Sequence, residues 1–98
     1  MLYGGYVYIM TNKHHTTLYT GVTSELTSRV HQHKTKEFST GFSAKYNCDK
    51  LLYYRGFTRI EDAIAEEKRI KAGSRQKKID LINKMNPKWE DLSEKVED

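Results

Sequence analysis

The 98-residue sequence contains one cysteine, Cys48, and one proline, Pro87. A single cysteine cannot form an intramolecular disulfide and has no second cysteine beside it for a zinc site, so we expect a structural thiol and neither redox nor zinc chemistry. No stretch approaches the roughly 20 apolar residues of a membrane span. The N-terminal MLYGGYVYIM also lacks the basic region and cleavage site of a signal peptide. These absences argue against a membrane protein and predict a cytoplasmic one.

Apolar residues are also few. They make up 37% of the chain, which is enough for one modest core but not for a second domain or a large enclosed pocket. We therefore predict a single domain over residues 1–93, followed by a frayed acidic tail at 94–98. The sequence predicts no particular oligomeric state.

Acidic residues are outnumbered, with 13 Asp and Glu against 17 Lys and Arg, which gives a net charge of +4. The basic residues concentrate in the middle of the chain and between Lys68 and Lys78. This distribution suits a polyanionic partner such as nucleic acid, because neutralised phosphates release their counterions. A solvated basic face that only aids solubility produces the same pattern, so charge alone does not decide between them.

Periodicity predicts a β-hairpin followed by a helix. Residues 6–11 and 17–23 are rich in β-branched and aromatic side chains and flank a polar turn, as two hairpin strands would. Ser24 suits the N-cap of a helix that runs to about Lys34. Its predicted core-facing residues are Leu26 and Val30.

The second half predicts one more strand and two more helices. Residues 35–50 have little periodicity and predict a long functional loop or irregular turns, whereas KLLYYRGF at 50–57 predicts a strand. Residues 58–61 have the capping-box pattern that opens a helix ending near Gly73, and Ser74 opens another helix. The apolar positions expected to face the core are Ile60, Ala63, Ile64 and Ile70 in the first helix and Ile79, Ile82 and Met85 in the second.

A short terminal turn is predicted after these helices, because Asn86 suits an N-cap and Pro87 suits the first helical position. The complete order is strand, strand, helix, strand, helix, helix. This order predicts an α+β fold in which a three-stranded antiparallel sheet is flanked by helices.

Four polar residues in the first half can form one cluster. Tyr8 and Tyr19 lie on the two hairpin strands and can share a face of the sheet. Arg29 and His33 are four positions apart, so they project from the same side of the following helix. Taken separately, the tyrosines also fit an ordinary cross-strand pair, and Arg29 with His33 fits a solvated helix face.

Tyr6-Val7-Tyr8, Tyr19-Thr20-Gly21, Arg29 and His33 resemble, in order and spacing, the signature of the GIY-YIG endonuclease superfamily, and in particular its small stand-alone bacterial group. Tyr6 stands where the family name has its first glycine. The resemblance continues through GFSAKYN, KLLYY, AEEKRIKAGSRQKK and NPKW, and so covers nearly the whole chain. It implies a GIY-YIG nuclease-like sandwich and an endonuclease that hydrolyses phosphodiester bonds with one divalent metal ion, Mg²⁺ or Mn²⁺.

The resemblance also implies a role for each residue of the cluster. Arg29 would stabilise the charge that develops on the phosphate, and His33 would assist proton transfer. Tyr8 or Tyr19 would activate or orient the attacking water, and the choice between them stays open. Gly21 and Asn86 would support the site, although helix capping alone explains Asn86.

The metal ligand that the resemblance implies falls within AEEKRIK, where Glu66 and Glu67 compete. At about 100° per residue, Glu67 lies in the middle of the apolar stripe and Glu66 points to one side. An inward carboxylate is costly unless it is paired or binds a cation, so we predict that Glu67 is the metal ligand. The alternative is an ordinary pair between Glu67 and Lys71 at helical spacing.

The expected partner is nucleic acid, DNA rather than RNA. The basic residues predicted to contact it are Lys45, Lys71, Arg75, Lys77 and Lys78. No zinc finger or helix-turn-helix accompanies these motifs, so we expect selectivity for DNA structure, or recruitment by another protein, rather than sequence recognition. The predicted function is a metal-dependent DNA endonuclease in repair or processing. The alternatives are a catalytically inactive nucleic-acid-binding module and a recruited scaffold that neither binds nor cleaves.

Overall fold

The structure is a computed structural model and describes residues 3–35 and 47–96. Most of the predicted loop at 35–50, including Lys45, lies outside the described residues. The order of elements is the one that the sequence predicts. The elements are β1 (Gly5–Thr11), β2 (Leu18–Thr23), α1 (Leu26–Thr35), β3 (Lys50–Phe57), α2 (Ile60–Ala72), α3 (Arg75–Met85) and a 3₁₀ turn at Ser93–Lys95.

The three strands form one antiparallel sheet in the order β2-β1-β3, so β1 is central. Tyr8 lies opposite Gly21 on one side and Tyr54 on the other. The pairing of β1 with β3 shifts between Ile9 and Met10, and at this irregularity the consecutive residues Leu52 and Tyr53 of β3 pack on the same face of the sheet. The α+β fold with helices flanking an antiparallel sheet is therefore confirmed.

One face of the sheet packs against α1. The alternating residues Tyr6, Tyr8 and Met10 of β1 meet Leu26 and Val30 of α1 there, as the helical spacing predicts. Cys48 and Leu92 complete this cluster. Burial raises the pKa of the Cys48 thiol to about 11, in keeping with the structural role predicted for it.

The other face packs against α2 and α3. Its core contains Val7 and Ile9 of β1 with Ala63, Ile70 and Ile82 from the two helices. Two predicted core positions are wrong, because 38% of Ile64 and 41% of Met85 is exposed. The apolar stripe predicted for α2 covers a wide part of the helix surface. The part that contains Ile70 packs on the sheet, so Ile64 lies at the edge of the interface. In α3, Leu81 packs against the core instead of Met85.

The helix starts differ in how well their caps are predicted. The helix predicted to run from Ser74 begins there with Ser74 as its N-cap, since the Oγ of Ser74 accepts a hydrogen bond from the Lys77 amide at 3.2 Å. The capping box predicted at 58–61 is wrong, because the N-cap of α2 is Arg59 and no side chain caps it. Thr58 instead lies just after the end of β3, where its carbonyl accepts from the Gly4 amide at 3.1 Å.

At the start of α1, the predicted cap is also displaced. The carbonyl of Glu25 accepts from the Arg29 amide at 3.1 Å, which makes Glu25 the residue that precedes the first turn. Thr23, rather than Ser24, supplies a side-chain oxygen here and accepts from the Glu25 amide at 3.1 Å. The hydroxyl thus ties the end of β2 to the start of α1.

Asn86 ends α3 and also opens the short turn predicted after it, where its carbonyl accepts from the Trp89 amide at 3.0 Å. Its Nδ2 donates to the carbonyls of Leu52 at 3.2 Å and Glu90 at 2.7 Å, and its Oδ1 accepts from the Glu90 amide at 3.1 Å. Only 5% of Asn86 is exposed. The side chain therefore fixes the turn after α3 onto β3, the strand farthest from β2. None of the helices within the described residues combines the length and hydropathy of a membrane span.

Candidate active site

The position of the Tyr8 ring depends on residue 21 being a glycine, which has no side chain. The two residues are partners on β1 and β2, and the fully buried ring of Tyr8 lies over Gly21. A Cβ added at Gly21 would stand 2.5 Å from Cζ and 2.9 Å from Cε1 of that ring, closer than any packing permits. Glycine at this position lets the phenol of Tyr8 extend over β2, which is an outer strand.

Tyr8, Tyr19 and His33 form one cluster, as the sequence predicts. The hydroxyl of Tyr8 lies 3.0 Å from Nε2 of His33. The ring centroids of Tyr8 and Tyr19 lie 5.6 Å and 5.3 Å from that of His33. The two tyrosine rings are 6.3 Å apart and tilted by 46°. Strands β1 and β2 and helix α1 thus bring three residues from separate motifs into contact.

Burial determines the protonation states of Tyr8 and His33. Burial, and then the charge of Arg29, lower the pKa of His33 to about 4, so the imidazole is neutral at pH 7. Burial also raises the pKa of Tyr8 well above its ordinary value, so the phenol keeps its proton. In the tautomer of His33 that carries its proton on Nδ1, the phenol of Tyr8 donates to Nε2.

Charges from both faces of the sheet act on the phenol of Tyr8. Burial is the largest influence on its pKa, followed by Tyr19, which also raises it. The charge of Arg29 and its hydrogen bond to Tyr8 lower that pKa, whereas the charge of Glu67 raises it. Arg29 belongs to α1 and Glu67 to α2, on opposite faces. Their common influence indicates that the site forms at the β2 edge, where the phenol projects.

Glu66 and Glu67 face different flanks of α2. Arg69 donates two hydrogen bonds to the carboxylate of Glu66, from Nε at 2.8 Å and from Nη2 at 2.6 Å, and Arg55 lies 3.8 Å from it. The hydrogen bonds from Arg69 lower the pKa of Glu66. Glu66 acts on the pKa of Tyr53 of β3 and has no part in that of Tyr8.

Glu67 makes the pair with Lys71 that helical spacing allows, with 2.9 Å between Nζ and Oε2. Its side chain is only 14% exposed. Within residues 3–35 and 47–96, no three His, Cys, Asp or Glu side chains gather as a metal-binding group. A single, largely buried carboxylate fits Mg²⁺, which keeps several waters and completes its shell with substrate phosphates.

The predicted nucleic-acid contacts do not form a single surface. Lys71 pairs with Glu67 on the flank of α2 that carries the site. Arg75 donates from Nη2 to the carbonyl of His15 at 3.2 Å and so supports the hairpin turn. Lys77 and Lys78 line a groove between α2 and α3. Lys45 lies outside the described residues, and Asn86 contacts β3 rather than the cluster around Tyr8.

Two residues of this groove were missed by the sequence reasoning, Arg69 and Lys84. The available signal was the spacing of Lys84, seven positions after Lys77, which places both on one face of α3. Arg69 lies in the basic run between Lys68 and Lys78, but its place opposite α3 depends on how the two helices pack.

An α+β sandwich that joins two tyrosines, a neutral histidine, an arginine and a nearby carboxylate has the groups that a phosphodiester hydrolase needs. Residues 4–80 match the GIY-YIG catalytic domain family, and the chain belongs to this family. Its members are nucleases that hydrolyse phosphodiester bonds, and they generally depend on a divalent metal.

The fold is similar to the solution NMR structure of the UPF0213 protein BH0048 from Bacillus halodurans. The two sequences are 26% identical, the alignment covers 90% of this chain and 92% of that chain, and the TM-score is 0.57. No curated protein matches the chain.

Proposed function

We propose that this protein is a metal-dependent endonuclease that cleaves DNA, selects structure more than sequence, and acts in DNA repair or processing. The observation that carries the proposal is the hydrogen bond of 3.0 Å between Tyr8 and a neutral His33, at a phenol on which Arg29 and Glu67 both act. Hydrolysis needs a base for water and cations for the phosphate, and these four side chains supply both needs.

Tyr8 and His33 form the proton-transfer pair. Because the phenol stays protonated, Tyr8 accepts the proton of the attacking water only as it passes its own proton to Nε2 of His33. The water oxygen bonds to phosphorus as the bond to the leaving oxygen breaks. Tyr8 keeps the proton of the water, His33 holds the proton that Tyr8 gave up, and the leaving oxygen takes a proton from solvent. Tyr19, which contacts both rings, keeps the pair in position.

Arg29 links phosphate binding to the basicity of His33. Its charge is the second cause of the low pKa of His33. A phosphate that pairs with Arg29 offsets this charge, so the imidazole becomes a better proton acceptor when substrate is bound. The guanidinium also stabilises the negative charge that develops on the phosphate oxygens.

Glu67 is the residue that would hold a divalent ion, with water and substrate phosphate as the remaining ligands. The bound ion would supply positive charge to the phosphate oxygens. Lys71 pairs with Glu67 and would be free to contact phosphate where that carboxylate held a cation. The flank that Glu67 shares with Lys71 supports its choice over Glu66, whose carboxylate is already held by two arginines.

The test is a cleavage assay on supercoiled plasmid, branched DNA, and single-stranded DNA and RNA, with Mg²⁺ or Mn²⁺ and with an EDTA control. We expect cleavage of DNA that is lost with EDTA and with Glu67→Ala. Glu66→Ala is the matched control, since it removes the neighbouring carboxylate from the other flank, and it should retain most of the activity.

Other outcomes of this assay change the proposal. Loss of cleavage in Glu66→Ala but not in Glu67→Ala would show that Glu66, and not Glu67, is the metal ligand. Preferential cleavage of RNA would show that the substrate is RNA rather than DNA. Salt-sensitive binding without cleavage of any substrate would identify the chain as an inactive nucleic-acid-binding module.

A further inference from the structure

Thr20 of β2 has a buried hydroxyl with no hydrogen-bond partner among the described residues. Only 4% of Thr20 is exposed. None of residues 3–35 and 47–96 forms a hydrogen bond with its Oγ1. Buried polar groups usually have a partner, and leaving one without a partner lowers stability. The hydroxyl of Thr20 therefore needs an explanation.

The neighbours of Thr20 on the sheet are apolar. Thr20 lies beside Ile9 of β1, whose side chain belongs to the core between the sheet and helices α2 and α3. Leu18 and Val22, two positions before and after Thr20 on β2, pack against the same core. Because alternate residues of a strand share a face, Thr20 also points toward the helix layer. A partner for the hydroxyl would come from the helix that covers β2.

Helix α2 covers this part of the sheet, since it packs on both β1 and β2. The side of α2 that faces the sheet contains Ala63 and Ile70, which are buried in the core. Glu67 comes four residues after Ala63 and three before Ile70, so it belongs to the same side of the helix. Its side chain is 14% exposed, and it is the polar member of this row.

Glu67 lies on the flank of α2 that faces β2. Its neighbour Glu66 lies 3.8 Å from Arg55 of β3, on the opposite flank. Glu67 acts instead on Tyr8, whose phenol extends over β2. Because α2 packs on the central strand β1, the flank of Glu66 faces β3 and the flank of Glu67 faces β2. The carboxylate of Glu67 and the hydroxyl of Thr20 thus belong to one interface between β2 and α2.

The two groups are not hydrogen-bonded to each other, because Glu67 turns to Lys71, at 2.9 Å. A carboxylate that binds a metal ion is generally held by a hydrogen bond of its own, which fixes its orientation. We propose that Thr20 positions Glu67 for a divalent ion: its hydroxyl donates to the carboxylate when this turns from Lys71 to the ion. The inference rests on the proposed role of Glu67 and adds a residue that touches neither substrate nor metal.

The experiment measures Mn²⁺ binding without DNA, so that its result does not depend on cleavage. Electron paramagnetic resonance would report free Mn²⁺ during titrations of the full chain. Thr20→Val removes the hydroxyl and keeps the shape of the side chain, whereas Thr20→Ser keeps the hydroxyl. Glu67→Ala shows how much of the binding belongs to this site.

Thr11→Val is the matched control. Thr11 is also a buried threonine of the sheet, but its Oγ1 donates to the Thr17 carbonyl at 2.8 Å. In urea denaturation without metal, Thr11→Val should lower the midpoint because it breaks this hydrogen bond. Thr20→Val should leave the midpoint unchanged or raise it, because it removes a hydroxyl that has no partner.

We expect Thr20→Val to weaken Mn²⁺ binding about tenfold or more, and Thr20→Ser to stay within about threefold of wild type. Thr11→Val should bind Mn²⁺ as wild type does. Unchanged affinity in Thr20→Val would overturn the proposal. Equal weakening in Thr20→Ser, or in Thr11→Val, would also overturn it, because the hydroxyl of Thr20 would then not be the cause.

Failure of the proposed function would give a different result. Equal Mn²⁺ binding by wild type and Glu67→Ala would refute Glu67 as the metal ligand and, with it, the role of Thr20. Weaker Mn²⁺ binding in both Glu67→Ala and Thr20→Val, without cleavage of any DNA by wild type, would refute the nuclease and support the contact between Thr20 and Glu67.

Discussion

His33 should make the stability of this protein depend on pH in a defined window. Its pKa is about 4 in the folded protein and 6.5 in the absence of perturbation. As pH falls from 6.5 to 4, the unfolded chain gains a proton on His33 and the folded chain does not, so stability is lost. The slope is about 1.4 kcal/mol per pH unit and the total about 3 kcal/mol, a large part of the 5–15 kcal/mol typical of a domain.

Urea denaturation of wild type and His33→Gln between pH 7 and pH 4 measures this effect. The two proteins share every other ionisable group, so the difference in pH dependence isolates His33. The variant should be less stable at pH 7, because it loses the hydrogen bond of Tyr8, yet it should lose about 3 kcal/mol less on acidification. Equal pH dependence in the two proteins, or an NMR titration of His33 near 6.5, would refute the reasoning.

Three further substitutions test the packing and the caps. Gly21→Ala should lower stability by about 1–3 kcal/mol in urea denaturation and reduce cleavage, since the new Cβ displaces the buried ring of Tyr8; an unchanged midpoint would contradict this. Asn86→Ala should cost about 2–3 kcal/mol in the same assay, because it leaves buried backbone groups unpaired; a loss below about 0.5 kcal/mol would show that they find other partners. Ser74→Ala should lower the thermal midpoint by the equivalent of about 1 kcal/mol, whereas Ser24→Ala, at a position that caps no helix, should change it little.

The choice between Glu66 and Glu67 shows what helical geometry can predict and what it cannot. Spacing on a helical wheel separates the two carboxylates by about 100° and predicts that only one turns toward the apolar stripe. It does not predict which arginines hold the other. The pairing of Glu66 with Arg69 follows from local spacing, but its approach to Arg55 required β3 to lie beside that flank of α2.

Local patterns by themselves determined the element order and the sheet-and-helix architecture. Strand alternation and helical periodicity depend on neighbours in the chain, so Leu26, Val30 and Ile70 could be assigned to the core, and Ser74 to the start of a helix, before any contact was known. The motifs around Tyr8, Tyr19, Arg29 and His33 were recognisable for the same reason.

Only the tertiary structure decided the protonation states of the site residues and the contacts that the basic residues make. The pKa of His33 depends on burial and on charge that only packing brings near, and Gly21 matters only because the ring of Tyr8 crosses it. The sequence predicts that Arg75 and Lys77 both contact nucleic acid. In the folded chain, Arg75 contacts the hairpin turn, whereas Lys77 lines the groove between α2 and α3. The physical reason is that burial and electrostatic interactions depend on distance in space, and the fold makes neighbours of residues that are far apart in the chain.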